Sequence, residues 1–222
     1  MKKTIIALST LALASTSVSA FDLNPEFFVG GGVGYHHAKF ESKWTEVAEG
    51  DSWSDKESDT AKGAAFSVRT GAYLTPNHRV TLTANFTGDN ELYSDSDEYG
   101  KETQNLKQSE YLASYDYLHY LNADFALFAG VTAGVVQNTI TFEYKDIDGT
   151  DKEKDKETDF TYGLQVGAQY KINSNWSADL QYRHMFESTS VSDSWNDEYG
   201  YGNDTFTVKN NGELTLSVDY RF

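Results

Sequence analysis

A histidine beside a hydroxyl and a carboxylate is the side-chain set that activates a nucleophile. The chain carries five histidines: His36, His37, His78, His119 and His184. His184, with Glu187 and Ser188 close behind it, is the best candidate for such a set. The alternative is that these polar groups decorate a membrane–water interface. A second chemistry is cation binding. Asp146-Ile147-Asp148-Gly149-Thr150-Asp151 puts oxygen ligands at alternate positions, as a calcium loop does. The full twelve-residue pattern is absent and lysines follow at once, so an acidic solvated loop is the expectation, with no metal and no cofactor. A third is internal ion pairing: Arg69, Asp116, Lys171, Asp179, Arg183, Asp219 and Arg221 sit within otherwise apolar-alternating stretches. A fourth is partner binding, by Trp44, Trp53, Tyr93, Tyr99, Trp195, Tyr199 and Tyr201, aromatics scattered among acids. These rings could instead pack on each other.

The elements that must position these residues follow a period of two. In the last nine residues, Leu214, Leu216, Val218, Tyr220 and Phe222 alternate with Thr215, Ser217, Asp219 and Arg221. That is a strand with one apolar and one polar face. Left at an open edge it would invite aggregation; in a closed barrel in a membrane it has no edge. Seven more segments share the pattern, at about 27–40, 64–74, 79–87, 110–120, 125–142, 160–172 and 176–186. In the fifth, Val135-Val136 suggests a bulge. Gly30, Gly32 and Gly34 share the polar face of the first. Three connections are tight turns, at 75–78, 121–124 and 173–175, and four are long, at about 41–62, 88–109, 143–159 and 187–212. Such alternation marks an eight-stranded up-and-down antiparallel barrel, with turns toward the periplasm and loops outside.

Composition bounds the rest. The net charge is −16, from 18 Lys+Arg against 34 Asp+Glu. The four long connections, taken at 41–60, 88–107, 143–158 and 187–211, carry −5, −4, −3 and −4. The acidity therefore belongs to the loops, and it argues against nucleic acid as a partner. With no cysteine there is neither a disulfide framework nor a thiolate metal site. Lys2-Lys3, the apolar run Ile5 to Ala14 and Val18-Ser19-Ala20 read as a signal peptide, residues 1–20, cut after Ala20. One β-domain, 21–222, follows.

The strand charges test the barrel. A lipid-facing Arg at mid-bilayer costs roughly 2–4 kcal/mol, yet all seven fall on the polar parity of their strands. Eight strands leave an interior that side chains just fill, so these residues are expected to form a polar plug. A gate in a narrow pore is the alternative. Aromatics collect near the strand ends as interfacial girdles do: Tyr35, Phe40, Phe86, Phe142, Tyr144 and Phe186 at one end, Phe27, Phe125, Tyr170, Trp176 and Tyr220 at the other.

The signal segment, FFVGGGVGY at 27–35, YGLQVGAQYKINSNWSADLQYRHMF at 162–186 and LSVDYRF at 216–222 together resemble the small outer-membrane barrels of the OmpA, OmpX and Ail type. The resemblance implies an all-β transmembrane barrel in the cell outer membrane of a Gram-negative bacterium. It further implies that Leu216, Val218, Tyr220 and Phe222 resemble the signal read by the outer-membrane assembly machinery. Outer-membrane lipids and lipopolysaccharide are the expected surroundings, a host or surface ligand is a candidate partner, and a monomer is expected. The expected role is non-enzymatic, structural or adhesin-like, through the acidic loops. The alternatives are a narrow porin-like channel and, last, a lipid A-modifying enzyme.

Overall fold

The structure, a computed structural model, describes residues 24–48, 51–88, 90–96, 100–146, 149–196 and 200–222. Nine strand segments follow in order: β1 Glu26–Ala48, β2 Asp51–Thr75, β3 His78–Thr87, β4 Asn90–Ser96, β5 Gly100–Tyr120, β6 Phe125–Asp146, β7 Thr150–Lys171, β8 Trp176–Asn196 and β9 Gly200–Arg221. β3 and β4 both lie on β5, end to end, so the wall has eight strand positions. All neighbours are antiparallel, and β1 pairs with β9 to close the barrel. Closure lets every backbone group in the wall find a partner, which lipid demands. No helix among the described residues is long and apolar enough to cross a membrane.

Three turns close one end. Their asparagines supply the missing backbone partners: Asn122 Oδ1 accepts from the amides of Asp124 and Phe125, and Asn173 Oδ1 from those of Asn175 and Trp176. Asn77 and Asn175 donate from Nδ2 to the carbonyls of Leu118 and Arg221 on neighbouring strands. These are the asparagine turns that the sequence pattern suggests.

At the other end the strands run far past the apolar alternation. β9 has 22 residues, whereas a barrel strand needs about 9–11 to cross the hydrocarbon. The four long connections are therefore built mostly as hairpin ribbons that extend the strands of the wall. β1 and β2 stay paired out to Ala48 and Asp51. Apolar alternation ends where lipid ends, because both faces are wet above it, but the backbone ladder needs no lipid to continue. The bulge read at Val135-Val136 is not there: β6 keeps register with both neighbours, Val135 facing out and Val136 in. Register shifts lie elsewhere, one of them in β9, where Asn211 and Lys209 oppose Ala38 and Lys39 and leave Asn210 over.

The wall also divides. β7 and β8 pair only from Lys171–Ser177 up to Gly163–Met185. β2 and β3 pair only up to Ala65–Thr87. Above those levels the described strands form two four-stranded sheets, β8–β9–β1–β2 and β4–β5–β6–β7.

Inside the turn end, Phe28, Tyr73, Leu118, Ala126 and Phe128 form an apolar cluster. Glycines across from the two Phe rings make room for them: a Cβ at Gly71 would strike Phe28, and one at Gly167 would strike Phe128. Gly167→Val should therefore lose about 1–3 kcal/mol in urea unfolding from lipid vesicles. Gly149→Val, with nothing within 4 Å, should match the parent; equal losses would contradict this packing.

Candidate functional site

The lumen above the apolar cluster is polar and buried. Its lower layer is a knot of three arginines and three aspartates. Arg69 grips Asp219 with two parallel bonds, Nε to Oδ1 at 2.7 Å and Nη2 to Oδ2 at 2.6 Å. Its Nη2 also reaches Asp179 Oδ2 at 2.9 Å. Arg79 donates to Asp116 Oδ2 from Nε and Nη2, at 3.0 and 2.9 Å, and to Asp179 Oδ2 from Nη1. Asp179 thus joins both guanidiniums, and Gln169 Nε2 donates to its other oxygen at 2.9 Å. Gln165 Nε2 donates to the second oxygen of Asp116. Arg221 closes the bottom, bonding Gln169 Oε1 and the Tyr73 hydroxyl at 2.8 and 3.0 Å, with its guanidinium 4.1 Å from the Tyr73 ring centre.

The upper layer is centred on Arg183, whose Nη2 lies 2.9 Å from Glu110 Oε2 and 3.3 Å from Glu213 Oε1. Asn85 Nδ2 donates to both glutamates, and Asn211 Nδ2 donates to Glu110. His36, fully buried, holds Nδ1 3.8 Å from Glu213 Oε2.

Of the seven lumen charges read from sequence, Arg69, Asp116, Asp179, Asp219 and Arg221 meet in the lower layer, and Arg183 stands in the upper one. Lys171 joins neither. It is half-exposed at the turn end, with Nζ 4.6 Å over the Tyr120 ring. Arg79, Glu110 and Glu213 are missing from that set, although each has the inward parity. The first two begin their apolar segments and Glu213 immediately precedes one, where alternation gives least warning.

The other candidates disperse. His184 lies on the outer face with its ring edge-on to Phe186 at 5.1 Å, and the register of β8 shifts between Met185 and Ser188. The side chains of Glu187 and Ser188 lie outside the described residues, as do those of Asp146, Asp151, Tyr93 and Trp195. Residues 147–148, Tyr99, Tyr199 and the leader 1–20 lie outside them altogether. Among the described residues no group of three His, Asp or Glu could hold a metal ion. Trp44 and Trp53 are exposed, on the ribbon face continuous with the lumen, opposite Asp55 and Glu46. Tyr201 pairs with Val47 on the opposite face. Leu216, Val218, Tyr220 and Phe222 all face outward and are exposed.

The inner face of the ribbons is acidic. Glu46, Asp55 and Glu57 line it on β1 and β2, and Glu153, Glu157 and Asp159 on β7. Partial burial, and then the neighbouring Asp159, raise the Glu157 carboxyl above its ordinary range. No described lysine of the ribbons shares that face.

The lower knot should dominate the stability of the barrel. Arg79→Met leaves Asp116 and Asp179 short of a buried cation and should cost about 3–5 kcal/mol in vesicle unfolding. Lys171→Met should stay within about 0.5 kcal/mol. Similar losses for the two would refute the division drawn here.

The family model of the outer membrane protein beta-barrel domain matches residues 8–222. Among solved structures, the outer membrane protein OprG from Pseudomonas aeruginosa is 13% identical, with 90% of this chain and 97% of that one covered and a TM-score of 0.56. Neisserial surface protein A is 16% identical over 85% and 97%, with a TM-score of 0.51. The outer membrane protease OmpT from Escherichia coli is 14% identical over 93% and 100%, with a TM-score of 0.50. At such identities the likeness carries the fold alone. No protein of curated function matches the sequence.

Proposed function

Because the chain belongs to the outer membrane protein beta-barrel domain family, and so sits in the outer membrane, we propose that it acts there as a non-enzymatic, monomeric surface-interaction protein. In this reading the leader 1–20 directs export and is cut after Ala20. The terminal Leu216, Val218, Tyr220 and Phe222 engage the assembly machinery. The barrel is a sealed anchor, and the ribbons do the work. One observation carries the proposal: the lumen is crossed by two layers of buried ion pairs, while the ribbons above hold carboxylates and the indoles of Trp44 and Trp53 on one face. Carboxylates flanking exposed indoles suit a partner that offers cationic groups beside apolar ones. The charges of the lumen then serve to fill the barrel, and the acids of the ribbons serve binding.

Two measurements on the full chain test this. In planar bilayers the protein should show no steady single-channel conductance, and Arg183→Ala should at most admit brief leaks. Cells displaying the protein should adhere to host surfaces, and Asp55→Asn with Glu57→Gln, Glu153→Gln and Glu157→Gln should reduce adhesion several-fold with the barrel intact. A steady wild-type conductance altered by Arg183→Ala, beside adhesion that ignores the ribbon acids, would make the protein a narrow channel instead.

A further inference from the structure

The ten lysines from Lys39 to Lys156 stand in the ribbons or at their bases, and all take the opposite face. Register fixes this. On β1 and β2 the outward row that carries Tyr35 and Phe66 in the membrane continues through Lys39, Lys43, Lys56 and Lys62. On β5, β6 and β7 the rows of Tyr111, Val135 and Phe160 continue through the remaining six. Every one is exposed. The described acids of this face are Glu41 and Glu143, and each is held by a lysine, Lys56 at 3.0 Å and Lys152 at 2.7 Å. The ribbons are thus sorted by charge: acids toward the axis of the barrel, lysines toward the surroundings.

The spacing from the membrane is regular as well. Lys39 stands four residues beyond Tyr35, Lys62 four beyond Phe66, Lys107 four beyond Tyr111, and Lys156 four beyond Phe160. Those four outward aromatics are exposed at the outer boundary of the apolar belt. Four residues of strand cover about 13 Å, or roughly 10 Å of height once a barrel tilt of about 40° is allowed for. The ammonium groups therefore form a ring just above the hydrocarbon, at the level of lipid head groups. Lys43 and Lys56 oppose each other directly higher on the same face. Like charges placed so are destabilising unless an anion answers them, and of the two Lys56 already has Glu41 at 3.0 Å.

We propose that this lysine-bearing outer face is a binding surface for the phosphate groups of the glycolipid that fills the outer leaflet around the barrel, lipopolysaccharide. Two features of the face favour this occupant over a soluble anion. The face is continuous with the lipid-facing wall, so whatever covers it must also border the membrane. The phosphates of that lipid lie beside the lysine ring, and their charge is complementary to it. Each lysine near such a surface adds to attraction that salt weakens.

The test uses the full chain in vesicles, with rough lipopolysaccharide or the same lipid stripped of its phosphates. A variant with Lys39, Lys62, Lys107 and Lys156 all changed to Gln is compared with the parent. Heat-modifiable gel migration checks that both fold. The parent should retain phosphorylated lipid at least about tenfold better than the stripped form, the variant should lose most of that preference, and salt should erase it. Equal retention of the two lipids by the parent overturns the proposal. So does a folded variant that keeps the full preference. If a soluble sulfated polysaccharide binds the lysines and lipopolysaccharide does not displace it, the face belongs to a soluble polyanion and the proposal fails.

Discussion

Side-chain phase is the constraint on which this molecule depends. A strand alternates its side chains, so a one-residue slip sends every one of them to the wrong face. In an open sheet a slip can be absorbed at an edge. In a closed barrel it cannot, because each strand is held on both sides and lipid supplies no substitute partner. Arg69, Asp116, Asp179 and Asp219 are inside for the same reason that Val68, Tyr115, Leu180 and Val218 are outside. The phase does not stop at the membrane surface. β1, β2, β5, β6 and β7 pass from barrel to ribbon without a register break between the hairpin partners. One alternation thus separates lipid from lumen below and lysine from acid above.

The interior shows how side chains fill an eight-stranded barrel. An apolar cluster closes the turn end, and ion pairs occupy the middle. Buried charge is costly unless fully answered, and around Asp179 and Arg79 in the lower knot the answers are redundant. Asp179 serves two arginines and Gln169; Arg79 serves two aspartates and lies 4.7 Å from the Phe128 ring centre. Three guanidiniums against three carboxylates leave the lower knot neutral. The upper layer sets Arg183 against two glutamates; Asn211 and Asn85 donate to the oxygens Arg183 leaves, Glu110 Oε1 and Glu213 Oε2, and Thr215 shares Glu213 Oε1 with it. Redundancy of this kind stiffens a wall that must present its outer surface to lipid without gaps.

The fold class is written in the alternation of residues such as Tyr162 to Tyr170 and Leu214 to Phe222, because lipid on one side and a packed lumen on the other leave a two-residue signature. The lengths of the strands are not written that way. Residues such as Thr139, Thr141 and Thr158 stand on the outer face above the lipid, where polar side chains are as welcome as on the inner one, so hydropathy is silent where the ladder continues. Arg79, Glu110 and Glu213 were hidden by position, at or just before the first residue of an apolar segment, where the two faces have too few members to compare. Lys171 misled for the opposite reason. It has the inward parity but sits at the turn end, half-exposed over the Tyr120 ring, so parity alone does not bury it. The charge sorting of Lys152, Lys154 and Lys156 against Glu153 and Glu157 is visible in the sequence once β7 is known to extend to Thr150.

On β7 the phase of the barrel continues unbroken into the ribbon and sorts its charge. The chain has no cysteine, so single cysteines can be placed along β7 from 151 to 166 and spin-labelled in vesicles. Collisions with an anionic and with a cationic relaxation agent then report the local potential at each site. A two-residue alternation is expected through 151–159, with the anionic agent favoured at even positions and the cationic agent at odd ones, in phase with lipid exposure at 160, 162, 164 and 166. A flat profile above Phe160, or an alternation out of phase with the membrane segment, would contradict it.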